Sequence, residues 1–139
     1  MADNKAAVDG AHGGSRHAAG SRRVSRGIFT ALAWLFTACV VVQTLLAGMA
    51  LFNDPVHWQK HVVFVRIFEF IPFLMLIAAF VGRMPAALKW MSFALYAIVF
   101  AQYTTANVPA VGALHPVMAL GLIVLSLHIA RRAYRTIRE

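Results

Sequence analysis

Four long apolar stretches separated by short polar breaks organise most of the chain. They run from about Gly27 to Phe52, His61 to Val81, Ala86 to Ala106 and Val111 to Ala130. Each is close to the ~20 residues that carry a helix across ~30 Å of hydrocarbon. Their apolar positions are continuous rather than alternating, and a bilayer admits only helices or closed barrels, so the pattern predicts helices. Breaks this short join antiparallel neighbours. The expected fold is therefore all-α, an integral membrane up-down four-helix bundle over residues 27–139.

Residues 1–26, "MADNKAAVDGAHGGSRHAAGSRRVSR", break the pattern. They hold almost no large apolar side chain except valine and cannot bury a core, so a disordered basic tail is expected. The apolar stretch that follows is too long for a cleaved signal peptide and lacks a small-residue cleavage site; it is read as a retained signal anchor. Composition agrees: 60% of the 139 residues are hydrophobic and mean hydropathy is +0.69, well above the roughly 45–50% apolar content of soluble domains.

Charge adds orientation. Lys5, Arg16, Arg22, Arg23, Arg26, Arg83, Lys89, Arg131, Arg132, Arg135 and Arg138 fall on one side of the spans, and only Lys60 on the other. Flanking Lys and Arg stay cytoplasmic, so both termini are expected inside, with residues 53–60 and 107–110 outside. The net charge of +8 is thereby explained by topology and by contact with anionic lipid heads, and no nucleic-acid recognition motif accompanies it. Cys39 is the single cysteine; it allows no disulfide within the chain and reads as small apolar packing.

Polar residues inside the spans are the candidates for chemistry. His61 and His115 open the second and fourth spans from the same side, so they lie at similar depth on helices that are diagonal in an up-down bundle. Two imidazoles facing each other across a bundle match the axial ligands of a flat macrocycle, which makes His61 and His115 the candidate metal and cofactor ligands. A turn shaped by His-Pro, at His115 and Pro116, is the competing structural reading. His57 sits among Trp58 and Lys60 as an interfacial anchor. His128 lies about 20 Å deeper than His115 and about 140° round the helix, without a matching partner, so a second stacked site is disfavoured. His12 and His17 belong to the tail.

Arg66 and Glu69 are three apart, a spacing that allows an ion pair, and unpaired charge at this depth costs at least about 2.5–3.5 kcal/mol. One reading is a structural pair. The other has Arg66 meeting an acidic ligand group, such as a haem propionate or a quinone-like head, while Glu69 relays a proton. Pro72 is expected to kink the second helix beside Glu69. Gln43, Thr44 and Gly48 in the first span, and Gln102, Tyr103, Thr104 and Thr105 in the third, lie at the level of His61 and His115. They form either a polar outer pocket or a hydrogen-bonded bundle lock. No catalytic triad order, phosphate loop, HExxH or paired-carboxylate motif appears, so no catalytic residue is assigned.

With "QTLLAGMALF" in the first span, a histidine opening the second, a Gln in the third and "ALHPVMAL" opening the fourth, the chain resembles an uncharacterised family of small bacterial four-helix membrane proteins over roughly residues 30–133. That resemblance implies the bacterial inner membrane and no established reaction. On architecture and paired histidines alone, the chain also resembles the haem-carrying four-helix units of haem A synthases and b-type cytochromes. This second likeness implies haem b on His61 and His115, with Arg66 as a propionate partner. It implies electron transfer rather than haem modification, since the further matched histidines and acidic motif of the modifying enzymes are missing. The expected function is a haem-b-binding redox or accessory subunit. The alternative is a non-catalytic assembly or interaction subunit, partnered by another membrane protein or by its own copies. A proton-conducting transporter would need a repeat or broken-helix pair that the sequence does not offer.

Overall fold

A computed structural model, which describes residues 19–138, shows an all-helical chain with no strand among them. Helix α1 (Ala2–Phe52) is described from Ala19. It is followed by α2 (His57–Phe68), α3 (Ile71–Val81), α4 (Ala86–Asn107), a 3-10 turn at Pro109–Val111 and α5 (Leu114–Arg138). The tail expected to be unstructured lies mostly outside the described residues. Residues 19–26 continue α1 as helix.

The second expected span is two helices in sequence. Pro72 has no N–H to return to the carbonyl four residues back, and the helix gives way at Glu69 and Phe70 before α3 restarts with Pro72 in its first turn. The α2–α3 limb and α5 each pack against α1 and α4, which leaves α2–α3 diagonal to α5 and α1 diagonal to α4. Three segments, Ala19–Phe52, His57–Val81 and Leu114–Arg138, are long and apolar enough to cross a membrane. In α4, Lys89 near one end and Gln102 to Thr105 near the other shorten the apolar run. Its 22 residues still extend about 33 Å, the thickness of the hydrocarbon layer. Large apolar side chains cover the outside, with Trp90 and Phe100 each 71% exposed. A surface of that kind is consistent with a lipid environment.

The core explains the helix faces. Phe29, Ala33, Phe36 and Val40 recur at helical spacing on α1 and are buried against Phe68, Met75, Ala79, Leu95, Leu122 and Ile129 from the other limbs. Phe36 meets Phe68 edge-on at 5.7 Å. Lipid tails are as apolar as these side chains, so their interlocking shape, rather than escape from water, holds the helices together.

At the end carrying the basic residues, α1 and the close of α3 approach most tightly. The Ser25 hydroxyl donates to the Ala78 carbonyl at 2.9 Å, and Arg26 Nε donates to the Gly82 carbonyl at 2.9 Å. A Cβ on Gly82 would stand 3.0 Å from the Ala78 oxygen and 3.2 Å from Arg26 Cγ. The chain then reverses through Arg83, whose φ of 49° is left-handed. Met84 follows, buried, with its N–H on the Ala79 carbonyl at 2.9 Å. Ser25→Ala is expected to lower stability by about 1 kcal/mol, read by thermal unfolding in detergent; an unchanged midpoint would show that this hydrogen bond contributes nothing.

Candidate functional site

One polar layer is built by all four limbs at the end opposite the basic residues. Gln43 comes from α1, His61 from α2, Gln102 and Thr105 from α4, and His115 from α5. Each histidine sits where a short turn delivers it. An Asx turn in which Asp54 accepts from the Val56 N–H at 2.8 Å starts α2. The 3-10 turn ends with the Gly112 N–H on Pro109 and the His115 N–H on Gly112.

Gln43 and His61 lock to each other twice. The Gln43 side-chain amide donates to the His61 carbonyl at 3.0 Å, and His61 Nδ1 lies 3.1 Å from the Gln43 carbonyl. A carbonyl only accepts, so its presence assigns the proton of His61 to Nδ1 and leaves Nε2 with its lone pair. Gln102 and His115 repeat the arrangement. With its amide nitrogen turned towards His115, Gln102 donates to the His115 carbonyl at 3.2 Å and accepts from the Ala119 N–H at 3.2 Å. His115 Nδ1 lies 3.2 Å from the Gln102 carbonyl and 3.2 Å from Thr105 Oγ1. One hairpin, α1–α2, and the other, α4–α5, thus carry the same reciprocal Gln–His lock.

The two rings meet across the bundle diagonal. Their centres are 6.4 Å apart with planes inclined at 56°, and Trp58 packs edge-on against His61 at 5.6 Å. Two imidazoles on opposite sides of one metal, with ~2.0–2.1 Å bonds, have ring centres roughly 6 Å apart. Metal-binding histidines characteristically fix the other ring nitrogen on a carbonyl, as both rings do here. No group of three or more His, Cys, Asp or Glu converges among the described residues. A ligand that fills four positions itself and takes two imidazoles matches this donor set. Gln43 Oε1 and His57 Nδ1 are buried in the same region without a partner, so the layer's hydrogen-bonding capacity is not exhausted within the chain.

The remaining candidates lie elsewhere. Arg66 and Glu69, with Phe70, Tyr96, Phe100 and Tyr103, line a separate cleft of ≈ 440 Å³ between the α2–α3 limb and α4. The expected Arg66–Glu69 ion pair does not form. Glu69 sits at the break that ends α2, and its carboxylate accepts instead from the Tyr103 hydroxyl of α4. Arg66, expected beside a haem propionate, faces this cleft. His128 is exposed on α5 and His57 is partly buried at the start of α2. His12 and His17 lie outside the described residues. Tyr103 as the partner of Glu69 was not foreseen from sequence, nor was the pairing of each Gln with the next histidine. The signal for the latter was a Gln in each of two apolar spans followed by a histidine opening the next.

Residues 43–111 match a protein-family model described as a family of unknown function (DUF6220). The match meets the expected likeness to an uncharacterised family and takes in Gln43, His61, Arg66, Glu69 and Gln102, but stops before His115. No curated protein and no solved structure matches the chain.

Proposed function

We propose that the chain is a haem-b-binding redox or accessory subunit of the bacterial inner membrane, with both termini in the cytoplasm and His61 and His115 as the residues that would hold the haem. The observation that carries this reading is the facing imidazole pair, 6.4 Å between ring centres, with both Nδ1 atoms on backbone carbonyls. Bound haem supplies a one-electron couple. The chain's own contribution is to hold the two rings from opposite hairpins, His61 by its Nδ1 on the Gln43 carbonyl and His115 by its Nδ1 beside the Gln102 carbonyl and the Thr105 hydroxyl. Further along the same limbs lies the apolar core, with Phe36 and Phe68 buried in it. The orientation rests on the basic residues gathered at the opposite end of the bundle.

The test is an absorption spectrum of the detergent-solubilised protein expressed with ample haem, oxidised and then dithionite-reduced. A Soret band with sharp reduced bands is expected, lost in His61→Ala and in His115→Ala. A colourless wild-type protein would sink the reading. The second reading, an assembly subunit with a membrane-protein or self partner, is favoured by the Gln–His locks, which tie each hairpin together through side chains and backbone carbonyls of the chain itself. It predicts a colourless protein in which the same two substitutions lower thermal stability.

A further inference from the structure

The cleft between the α2–α3 limb and α4 is separate from the histidine pair, and its walls are chemically specific. Its ≈ 440 Å³ lies within the roughly 300–1,000 Å³ of small-molecule sites. Phe70, Tyr96 and Phe100 supply ring faces, and Tyr96 is itself braced by Phe73 at 5.9 Å. Arg66 brings a fork of donors, and Glu69 brings a carboxylate steadied by the Tyr103 hydroxyl. We propose that this cleft binds the head of a membrane quinone or quinol.

Three observations select that class. First, the side chains at the mouth, Phe70 and Phe100, are exposed on the outside of the bundle, so the occupant arrives through the bilayer and must be lipophilic. Second, the polar groups are deep. Arg66 lies nine residues and Glu69 twelve residues into the helical limb that starts at His57, about 13 and 18 Å along it. That is below the level of phospholipid phosphates, and a phosphate would also meet the Glu69 carboxylate. Third, the donors and acceptors are complementary to a flat ring with oxygens at opposite ends. Arg66 donates to one oxygen of a quinol, and Glu69 Oε1 accepts from the hydroxyl at its other end, while aromatic faces stack on the ring between them. The inference does not depend on haem at His61 and His115.

Titration of the purified protein with a decyl-substituted benzoquinol, kept reduced under argon and followed by calorimetry in detergent, tests it. Saturable one-site binding is expected. Arg66→Gln and Glu69→Gln should each weaken it at least tenfold, and both remove a charge from within a membrane-spanning limb, so folding is expected to survive. Phe100→Trp, on the lipid-facing side, should block the cleft while keeping every polar group. Val63→Ala, outside the cleft, should change nothing. Wild-type protein prepared without haem should still bind the quinol, which separates this site from the haem reading. Unsaturable partitioning overturns the proposal, as does binding indifferent to both Arg66→Gln and Phe100→Trp. Stoichiometric displacement by phosphatidylglycerol also overturns it and makes the cleft a lipid-head site.

Discussion

Gly82→Val is expected to destabilise the bundle by about 1–3 kcal/mol from overpacking. A Cβ at this position already meets the Ala78 carbonyl oxygen at 3.0 Å and the Arg26 backbone nitrogen at 3.3 Å. Two of the three nearest atoms are backbone and cannot rotate away. Relief therefore requires α1 to move off the end of α3, which opens the Ser25 and Arg26 hydrogen bonds to Ala78 and Gly82. Each of those adds about 1 kcal/mol to the loss. Thermal unfolding in detergent should show a midpoint lower by on the order of 5–10 °C. Gly121→Ala is the control, because nothing lies within 4 Å of a Cβ there. Equal midpoints for the two variants would show that α1 and α3 are not held this closely.

If haem binds at His61 and His115 as proposed, replacing both locking amides, Gln43→Leu with Gln102→Leu, is expected to weaken it by roughly a hundredfold. Partners that orient a ligating histidine are worth about 10–100-fold in affinity each. Here each amide grips the backbone of the histidine whose ring leans on that glutamine's own carbonyl. Losing an amide lets the hairpin slide and the ring turn. Because the two locks belong to different hairpins and share no partner, the single effects should be about tenfold each and multiply. Haem titration of the apoprotein reads the affinity, and thermal unfolding reads the structural share, about 0.6 kcal/mol per membrane hydrogen bond. Undiminished haem affinity in the double variant would mean that the rings are positioned by something else.

The helical layers were legible because continuous apolar runs near membrane length have one structural solution. Diagonal placement of His61 and His115 also followed from chain order and short loops. What escaped was direction. Arg66 and Glu69 have ion-pair spacing on an unbroken helix, but the break before Pro72 lies at Glu69, and the carboxylate finds a phenol on another helix. Spacing rules describe one helix, whereas Tyr103 is 34 residues away, a contact that depends on how α4 docks. The locks escaped for a related reason. Each uses a backbone carbonyl as one partner, and backbone groups have no signature in composition. The start of α1 also reached further back than apolarity alone implied, because Ser25 and Arg26 are fixed to the end of α3 by hydrogen bonds that hydropathy does not register.

The repeated lock has a mechanical corollary. Each imidazole is a passenger of its own hairpin, tied to the backbone beside it and not to the ring it faces. The gap between the rings is therefore a gauge of how the two hairpins sit on one another. A partner, a bend in the bilayer or a ligand in the lateral cleft that shifts one hairpin by a fraction of an ångström would be transmitted to that gap undiminished, without either ring changing its own anchorage.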